Sequence, residues 1–434
     1  MPALDTLLKD PDLAPEGLRK IDFAASRMPV LEAVAAELAR SRPLAGQRIA
    51  ACLHVTTETA NLCRALVAGG AELALCASNA LSTKDDVAAA IHAELGAAVF
   101  AVHGADRDTF HRQVDGVLAT RPTLVVDDGA DLTATVHTRR RDLLAGIAGG
   151  TEVTSTGVLR ARNLAREGAL AYPLLAVNDA ATKHLFDNRY GTGQSTIDGI
   201  LRATNLLLAG KVLVVIGYGW CGRGLAARAR GMGARVVVCE VDPLKALEAV
   251  MEGYQVLPVA EAARIGEVFV TVTGGRDALT LEHLEAMPPG AIVANAGHFD
   301  LEVDVAALRR TATAATEVRP GAVAYTLPGG GREGPGEGAP PSPEGRVIVL
   351  AEGRLVGQSC AEAHPAEVMD LTFATQALAV ERLATTDPLP AGVHPVPAAV
   401  EERVARLKLA ALGVRCDELT PAQEDYLLGW RLGT

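Results

Sequence analysis

Aromatic residues are scarce in this chain, 3% of 434 positions, which excludes a platform of stacked rings for reading nucleic-acid bases. Basic charge is also short. Lys and Arg number 41 against 52 Asp and Glu, a formal net charge of −11, so a broad polyanion-binding face is disfavoured and no nucleic-acid partner is expected. No apolar run reaches the ~18 residues of a membrane span without a polar interruption, so no membrane partner is expected either. The first twenty residues, MPALDTLLKDPDLAPEGLRK, carry charges throughout and lack an apolar h-region, which predicts no signal peptide. The seven cysteines, Cys52, Cys63, Cys76, Cys221, Cys239, Cys360 and Cys416, form no CxxC pair and are odd in number. That argues against a disulfide framework and for reduced, mostly buried thiols in a cytoplasmic protein. No HExxH and no Cys/His ligand spacing occurs, so no metal site is expected.

What is present is ordinary globular composition, 49% hydrophobic and 21% charged, with room for two or three domains at ~150 residues each. Short β-rich apolar runs alternate with helical patterns. RIAACLHV, ELALCAS, AVFAVHG and TLVVDDG read as strands, with TTETANLCRALVAGG and KDDVAAAIHAEL as helices between them. This alternation predicts α/β architecture with parallel sheets covered on both faces. Ligands in such folds sit beyond the carboxyl ends of strands. His54, Asn79 and Asp128 all fall at predicted strand ends, a first hint of a site. The second half repeats the logic: TIDGILRATNLLLAG is read as a helix ending at Gly210, and KVLVVIG, ARVVVCE, EVFVTVTG and AIVANAG as strands. Residues 328–345 hold seven Gly and five Pro in eighteen positions, the composition of a loop. A helical pattern, EVMDLTFATQALAVERLA, runs to Pro388, and AAVEERVARLKLAALG forms an amphipathic tail helix.

The sharpest local signal is KVLVVIG running into Gly217-x-Gly219-x-x-Gly222-x-Gly224, then a helical segment, then ARVVVCE ending at Glu240. Gly217 permits the tight turn, Gly219 lets backbone approach a pyrophosphate, and Gly222 lets helix pack on strand. The helix N-terminus offers free N–H groups to phosphate. Glu240 stands 23 residues after Gly217, placed to accept from both ribose hydroxyls of NAD. Its charge would repel a 2′-phosphate, so NAD is expected rather than NADP. Thr273 and Asn295, in TVTGG and NAGH, end later strands and border the same crevice.

Taken together, ACLHVTTETANL, SNALSTKDD, VVDDGADLT, VNDAATKHLFDNRYGTGQS, VVIGYGWCGRG, ANAGHFDLEVD and LAEGRLV followed by AHP resemble the S-adenosylhomocysteine hydrolase family. GTGQS and the ending YLLGWRLGT are similar to its shorter archaeal and bacterial branch, which lacks the Lys- and Tyr-bearing tail of the longer one. The resemblance implies two doubly wound parallel-sheet domains. A substrate domain over 1–178 is completed by 366–390, a hinge spans 179–193, and an NAD-binding Rossmann domain occupies 194–362. A helical oligomerisation tail covers 391–434, in what is usually a homotetramer. It also implies tightly held NAD, regenerated in each cycle, and an adenine nucleoside substrate. The 3′ alcohol is oxidised transiently, the 4′ hydrogen becomes acidic, and the 5′ substituent is eliminated. By that match Lys183 is the base or polariser at the 3′ hydroxyl and Asp187 holds the same hydroxyl. His54 and Asp128 do acid–base work at 4′ and 5′, and His298 lies near the sugar. Thr154, Ser155, Thr156 and Asn188 contact the nicotinamide side, while Thr56, Glu58, Thr59 and His364 bind substrate. A lysine with an ordinary pKa of ~10.4 needs desolvation or nearby positive charge to act as a base.

Two positions depart from the family pattern. Where the family reads S-E-E-T-T-T-G-V, this chain reads Thr151-Glu152-Val153-Thr154-Ser155-Thr156-Gly157-Val158, so the Glu that holds a ribose hydroxyl is Val153. Losing a charged hydrogen bond there should cost about 1.5–3 kcal/mol. The family's Arg-Leu-Val-Asn ends here in Gly357, removing a cofactor-side Asn. With the oxidation equipment kept and the sugar wall altered, the sequence points first to a divergent nucleoside dehydratase of a nucleoside-antibiotic type of pathway, losing water from the 5′ position. The alternatives are an authentic S-adenosylhomocysteine hydrolase and an inactive NAD-binding partner protein.

Overall fold

The computed structural model describes residues 6–328 and 346–431. The glycine- and proline-rich stretch expected at 328–345 lies, beyond Pro328, outside the described residues. Six strands precede residue 180: β1 (Arg48–Leu53), β2 (Glu72–Ala77), β3 (Ala98–Phe100), β4 (Leu124–Asp127), β5 (Gly149–Glu152) and β6 (Pro173–Ala176). Eight more follow: β7 (Val212–Ile216), β8 (Arg235–Cys239), β9 (Gln255–Val256), β10 (Val268–Thr271), β11 (Ala291–Asn295), β12 (Ala314–Arg319), β13 (Ala322–Thr326) and β14 (Arg346–Leu350). A last short strand, β15 (Gly392–Pro395), lies near the C-terminus.

They build two sheets. The first has the order β15-β6-β5-β4-β1-β2-β3 and is parallel throughout. Side chains alternate across it as strand geometry requires. Ile49, Ala51 and Leu53 of β1 enter one apolar core and Ala50 and Cys52 enter the other. The helix Ala366–Thr385 returns from the second half to pack on this first sheet system, against the helices Pro29–Ser41 and Thr57–Ala68 and against β5. The second sheet, β12-β13-β14-β11-β10-β7-β8-β9, is likewise sandwiched, with Leu213 and Val215 facing one core and Val212, Val214 and Ile216 the other.

Each sheet has one place where strand order reverses. In the first it lies between β1 and β4, in the second between β7 and β10. Chain connections leave such neighbours in opposite directions, which opens a crevice at their carboxyl ends. His54 follows β1, Asp128 follows β4 and Gly217 follows β7, so the expected site residues sit at the two switch points.

The structure departs from the sequence reading in three places. The helix expected to run to Gly210 ends at Thr204, because Asn205 takes a left-handed conformation with φ of 55° and closes the helix. The second sheet is not wholly parallel: β13 pairs antiparallel with both β12 and β14, a hairpin addition at the edge. The segment read as a helical tail contributes β15, paired parallel to β6, before the helices Ala398–Ala411 and Pro421–Leu428. The segment expected as a hinge is built of helix. The π-helix His184–Gly191 leads without a break into the helix Thr192–Thr204, and π-turns of this kind are frequent at functional sites.

Candidate active site

Six segments distant in sequence meet in one cavity, lined among others by His54, Thr56, Glu58, Thr59, Asp128, Val153, Lys183, Asp187, Asn188, His298 and His364. Thr56 sets the start of the helix Thr57–Ala68, its hydroxyl accepting from the Thr59 N–H. The Thr59 hydroxyl donates back to the carbonyl of His54 at 2.6 Å. Strand end and helix start are thereby locked, and the His54 ring is fixed by Ser82, whose Oγ lies 2.6 Å from Nδ1.

Asp128 sits between two imidazoles. Its Oδ2 is 3.5 Å from His54 Nε2 and its Oδ1 is 3.5 Å from His298 Nδ1. His54 is buried, and burial pulls its pKa down from 6.5 to about 4, outweighing the attraction of Asp128. At neutral pH it is therefore an uncharged imidazole able to take a proton. The donor atoms of His54, Asp128 and His298 all lie within 4.8 Å of one another, a grouping with the geometry to hold a metal ion. Sequence spacing gave no sign of it because the three residues come from three separate strand ends.

The second cluster is built by the π-helix. Lys183 Nζ donates to Asn188 Oδ1 and lies 3.1 Å from Asp187 Oδ2. Asp187 is bound to His364 Nδ1 and accepts from the Thr372 hydroxyl at 3.0 Å. Burial alone would raise its pKa, but the Lys183 and His364 charges and their hydrogen bonds hold the carboxyl below the ordinary carboxylate range. Asn188 is fixed in turn by Asn178, whose Oδ1 accepts from Asn188 Nδ2 at 3.0 Å and from the Ser155 hydroxyl at 3.2 Å. A polar chain thus runs from His364 through Asp187, Lys183, Asn188 and Asn178 to Ser155.

A neighbouring cavity opens over the glycine turn, lined by Thr154, Ser155, Thr156, Asn188, Gly219, Arg223, Lys245, Thr273 and His298 among others. Gly217 has φ of 106°, left-handed space that favours glycine. A Cβ on Gly222 would stand 2.0 Å from the Gly217 carbonyl oxygen, whereas Gly219 has nothing within 4 Å. The helix Trp220–Gly231 begins there with no side-chain cap, leaving N–H groups for an anion. The Thr156 hydroxyl and Arg223 Nε are buried without a partner. An open cradle, an uncapped helix start and unsatisfied polar atoms fit a dinucleotide.

Two residues expected at the cofactor also hold the backbone around it. Asn295 lines neither cavity. It is fully buried, its Nδ2 donating to the carbonyls of Phe299 and Gly353 and its Oδ1 accepting from the Gly297 N–H, so it shapes the loop that carries His298. Glu240 accepts from the backbone N–H of Tyr218, Val241 and Asp242. It holds the turn, with lone-pair capacity left for a ribose hydroxyl. Gly357 packs against Ser195 instead of lining a cavity.

Sequence reasoning missed several groups. Glu302 is buried and accepts from the Thr273 N–H, the Thr273 hydroxyl and the Gly274 N–H, setting the turn after β10. Thr372 steadies Asp187 from a helix 185 residues away, and Gln358 lines the first cavity. No local motif marks Thr372 or Gln358, whereas Glu302 lay inside the ANAGHFDLEVD run and Asn178 inside VNDAATK without either being singled out. All seven cysteines are unpaired, as expected. No helix among the described residues is long and apolar enough to cross a membrane.

Comparison with known proteins follows the same division. Residues 5–143 match the model of S-adenosyl-L-homocysteine hydrolase, and residues 188–363 match that of the S-adenosyl-L-homocysteine hydrolase NAD-binding domain. The adenosylhomocysteinase of Aquifex aeolicus is 52% identical over 428 residues, covering 98% of this chain and 99% of that protein. The adenosylhomocysteinase of Saccharolobus solfataricus is 50% identical over 429 residues, covering 98% and 99%. The S-inosyl-L-homocysteine hydrolase of Methanopyrus kandleri is 48% identical over 429 residues, covering 98% of each.

Proposed function

The chain belongs to the S-adenosylhomocysteine hydrolase family and NAD is its cofactor, and on that premise we propose that it hydrolyses S-adenosylhomocysteine to adenosine and homocysteine. The observation that carries this reading is the meeting of the Lys183–Asp187–Asn188 cluster and the His54–Asp128–His298 cluster in one cavity beside the glycine cradle. The reaction needs both, because the C5′–S bond is unactivated until the 3′ position is a ketone.

NAD, when bound, supplies the reversible two-electron oxidation of the 3′ alcohol. The Thr154–Thr156 run, Asn188, the helix start at Trp220 and the turn held by Glu240 would bind it. Lys183 polarises the 3′ hydroxyl, and Asp187, kept ionised by the Lys183 and His364 charges, orients that hydroxyl and receives its proton as the hydride leaves. With the 3′ carbon oxidised, the 4′ hydrogen is acidic. The uncharged His54 imidazole accepts it, Asp128 positions the ring, and the Asp128–His298 side supplies a proton to the departing sulfur. Water adds at C5′ of the resulting enone, the 4′ proton returns, and the 3′ ketone is reduced. The atoms balance as one thioether plus one water giving one alcohol and one thiol. Closely placed, desolvated acid–base groups of this kind contribute about 10²–10⁴-fold each.

The dehydratase expectation shares every step up to elimination and differs only in the leaving group. Its support is Val153, which lines the cavity where the family carries a carboxylate. The names of the relatives speak for the hydrolase, and that reading takes precedence. Movement about the 179–193 segment and a homotetramer formed through the tail belong to the same proposal. Exposed Tyr426, Leu428 and Trp430 on that tail support an intermolecular contact.

Free thiol released from S-adenosylhomocysteine tests the reading. Turnover is expected. No thiol from S-adenosylhomocysteine, together with loss of water from a nucleoside bearing a free 5′ hydroxyl, would replace hydrolysis with dehydration.

A further inference from the structure

Glu152 is the last residue of β5 and is fully buried. It lines neither cavity, yet it touches the backbone of both. Its Oε1 accepts from the N–H of Gly129, the residue after Asp128, at 3.1 Å. The same oxygen accepts from the N–H of Thr154, the first residue of the Thr154–Thr156 run, at 2.8 Å. One atom therefore ties the loop of the acid–base cluster to the loop beside the glycine cradle. Glu152 Oε2 is buried without a partner, a cost that packing alone would not favour.

The carboxyl cannot swing away from these contacts. A Cβ at Gly157 would overlap its carboxyl carbon, so the first turn of the helix Ser155–Arg166 closes over it. Gly129 is equally confined. Its φ is 111°, and a Cβ there would meet His298 Nε2 at 2.5 Å. A shift of Gly129 thus disturbs Asp128 and His298 together. The nearby Asp127 and Asp128 charges, added to burial, push the Glu152 carboxyl well above the ordinary range. It is held as an uncharged acid, whose carbonyl oxygen is the same acceptor that a primary amide offers.

We propose that Glu152 is a positioning residue for the reaction: its one acceptor oxygen sets the Asp128 loop and the Thr154–Thr156 loop in register, so that both meet the same sugar. The inference rests on the oxidation and 4′-proton steps proposed above, which hydrolysis and dehydration share. Asp128 and His54 must address C4′ while the nicotinamide side addresses C3′, the adjacent carbon. The two loops leave different strands, β4 and β5, and nothing in either loop alone fixes their spacing to the accuracy that adjacent atoms demand. Glu152 does so through hydrogen bonds to both.

The test follows two steps on NAD-loaded protein mixed with adenosine: reduced cofactor by absorbance, and deuterium uptake at C4′ in D₂O. Each rate is divided by the bound NAD. Glu152→Gln keeps an acceptor oxygen in place and should leave both rates near those of the wild type. Glu152→Met, similar in length but without an acceptor, should slow both by roughly ten- to hundredfold per loaded site, the scale of a misplacement of about 1 Å. Glu152→Asp, one methylene shorter, reaches one loop and not both; it should be slowed as well, and keeps the test available where the Met variant folds poorly. A merely structural residue would lower the amount of loaded protein and leave the rate per site alone. Unchanged rates per site in a folded Met or Asp variant therefore overturn the proposal. A Gln variant as slow as the Met variant also overturns it, because the proton of Glu152 would then be the working part. Failure of the hydrolysis reading shows separately, as wild-type protein that exchanges the 4′ hydrogen of adenosine but releases no thiol from S-adenosylhomocysteine.

Discussion

Restoring a carboxylate at Val153 is the most informative perturbation of the sugar wall. Val153 follows β5 directly, its N–H donating to the Asp127 carbonyl at 3.2 Å, and its side chain is buried against the substrate cavity. In Val153→Glu the new carboxylate would face a ribose hydroxyl. The 3′ hydroxyl is consumed by the chemistry, so the 2′ hydroxyl is the one whose recognition can be read separately. A hydrogen bond to a charged group is worth about 1.5–3 kcal/mol, or roughly ten- to 150-fold in kcat/KM. The gain has a cost in the unliganded protein. Glu152 next door is fully buried, and burial together with the Asp127 and Asp128 charges pushes its carboxyl well above the ordinary range. A further acid there adds to that repulsion and should lower Tm, with recovery on saturating substrate. The assay compares kcat/KM for S-adenosylhomocysteine and its 2′-deoxy analogue in both proteins. The wild type should discriminate weakly and the variant by about tenfold or more. The reasoning is refuted if the variant's ratio matches that of the wild type, or if the wild type already rejects the 2′-deoxy compound strongly.

Three further outcomes follow from the geometry. The folded His54 pKa of about 4 lies below the ordinary 6.5, so between those values the unfolded chain binds a proton that the folded chain does not. Stability should fall by about 3 kcal/mol as pH drops through that window. Asp187, held low, adds loss in the same direction at lower pH, and Glu152, held high, acts oppositely. The difference between wild type and His54→Gln in urea unfolding isolates the histidine, and a difference that stays flat from pH 7 to 4 contradicts the burial argument. Gly222→Ala, whose methyl would stand 2.0 Å from the Gly217 carbonyl, should emerge folded but depleted of NAD; normal NAD content by extraction speaks against the cradle. Lys183→Ala should retain bound NAD and still bind adenosine, yet show no absorbance of reduced cofactor on mixing. Reduction at the wild-type rate removes Lys183 from its role.

Much of this site was legible because its residues cluster at strand ends. Short β-rich apolar runs located β1, β2, β3, β4, β7, β8, β10 and β11, and strand-end logic then pointed to His54, Asp128 and Gly217. The glycine turn was readable because each glycine answers a local steric demand. What stayed hidden depends on distant parts of the chain. Thr372 meets Asp187 across 185 residues, and Glu302 organises a turn 28 residues before it. Neither leaves a periodic trace. Asn205 ended a helix that the apolar pattern LLLAG seemed to continue, because one left-handed residue outranks periodicity. The β12–β13 hairpin escaped notice because β12 is exposed along its whole length and lacks the apolar run by which strands are recognised. Lys183 had no physical mark in sequence. Its burial against Asp187 and Asn188 exists only once the π-helix forms.

The account turns on a proton leaving C4′ while the 3′ carbon is oxidised. Adenosine incubated with the NAD-loaded protein in D₂O and recovered for NMR reads that event directly. Deuterium at C4′, and at no other carbon of the sugar, is the predicted result. Adenosine returned with its 4′ hydrogen intact, from a protein that releases thiol from S-adenosylhomocysteine, would contradict it.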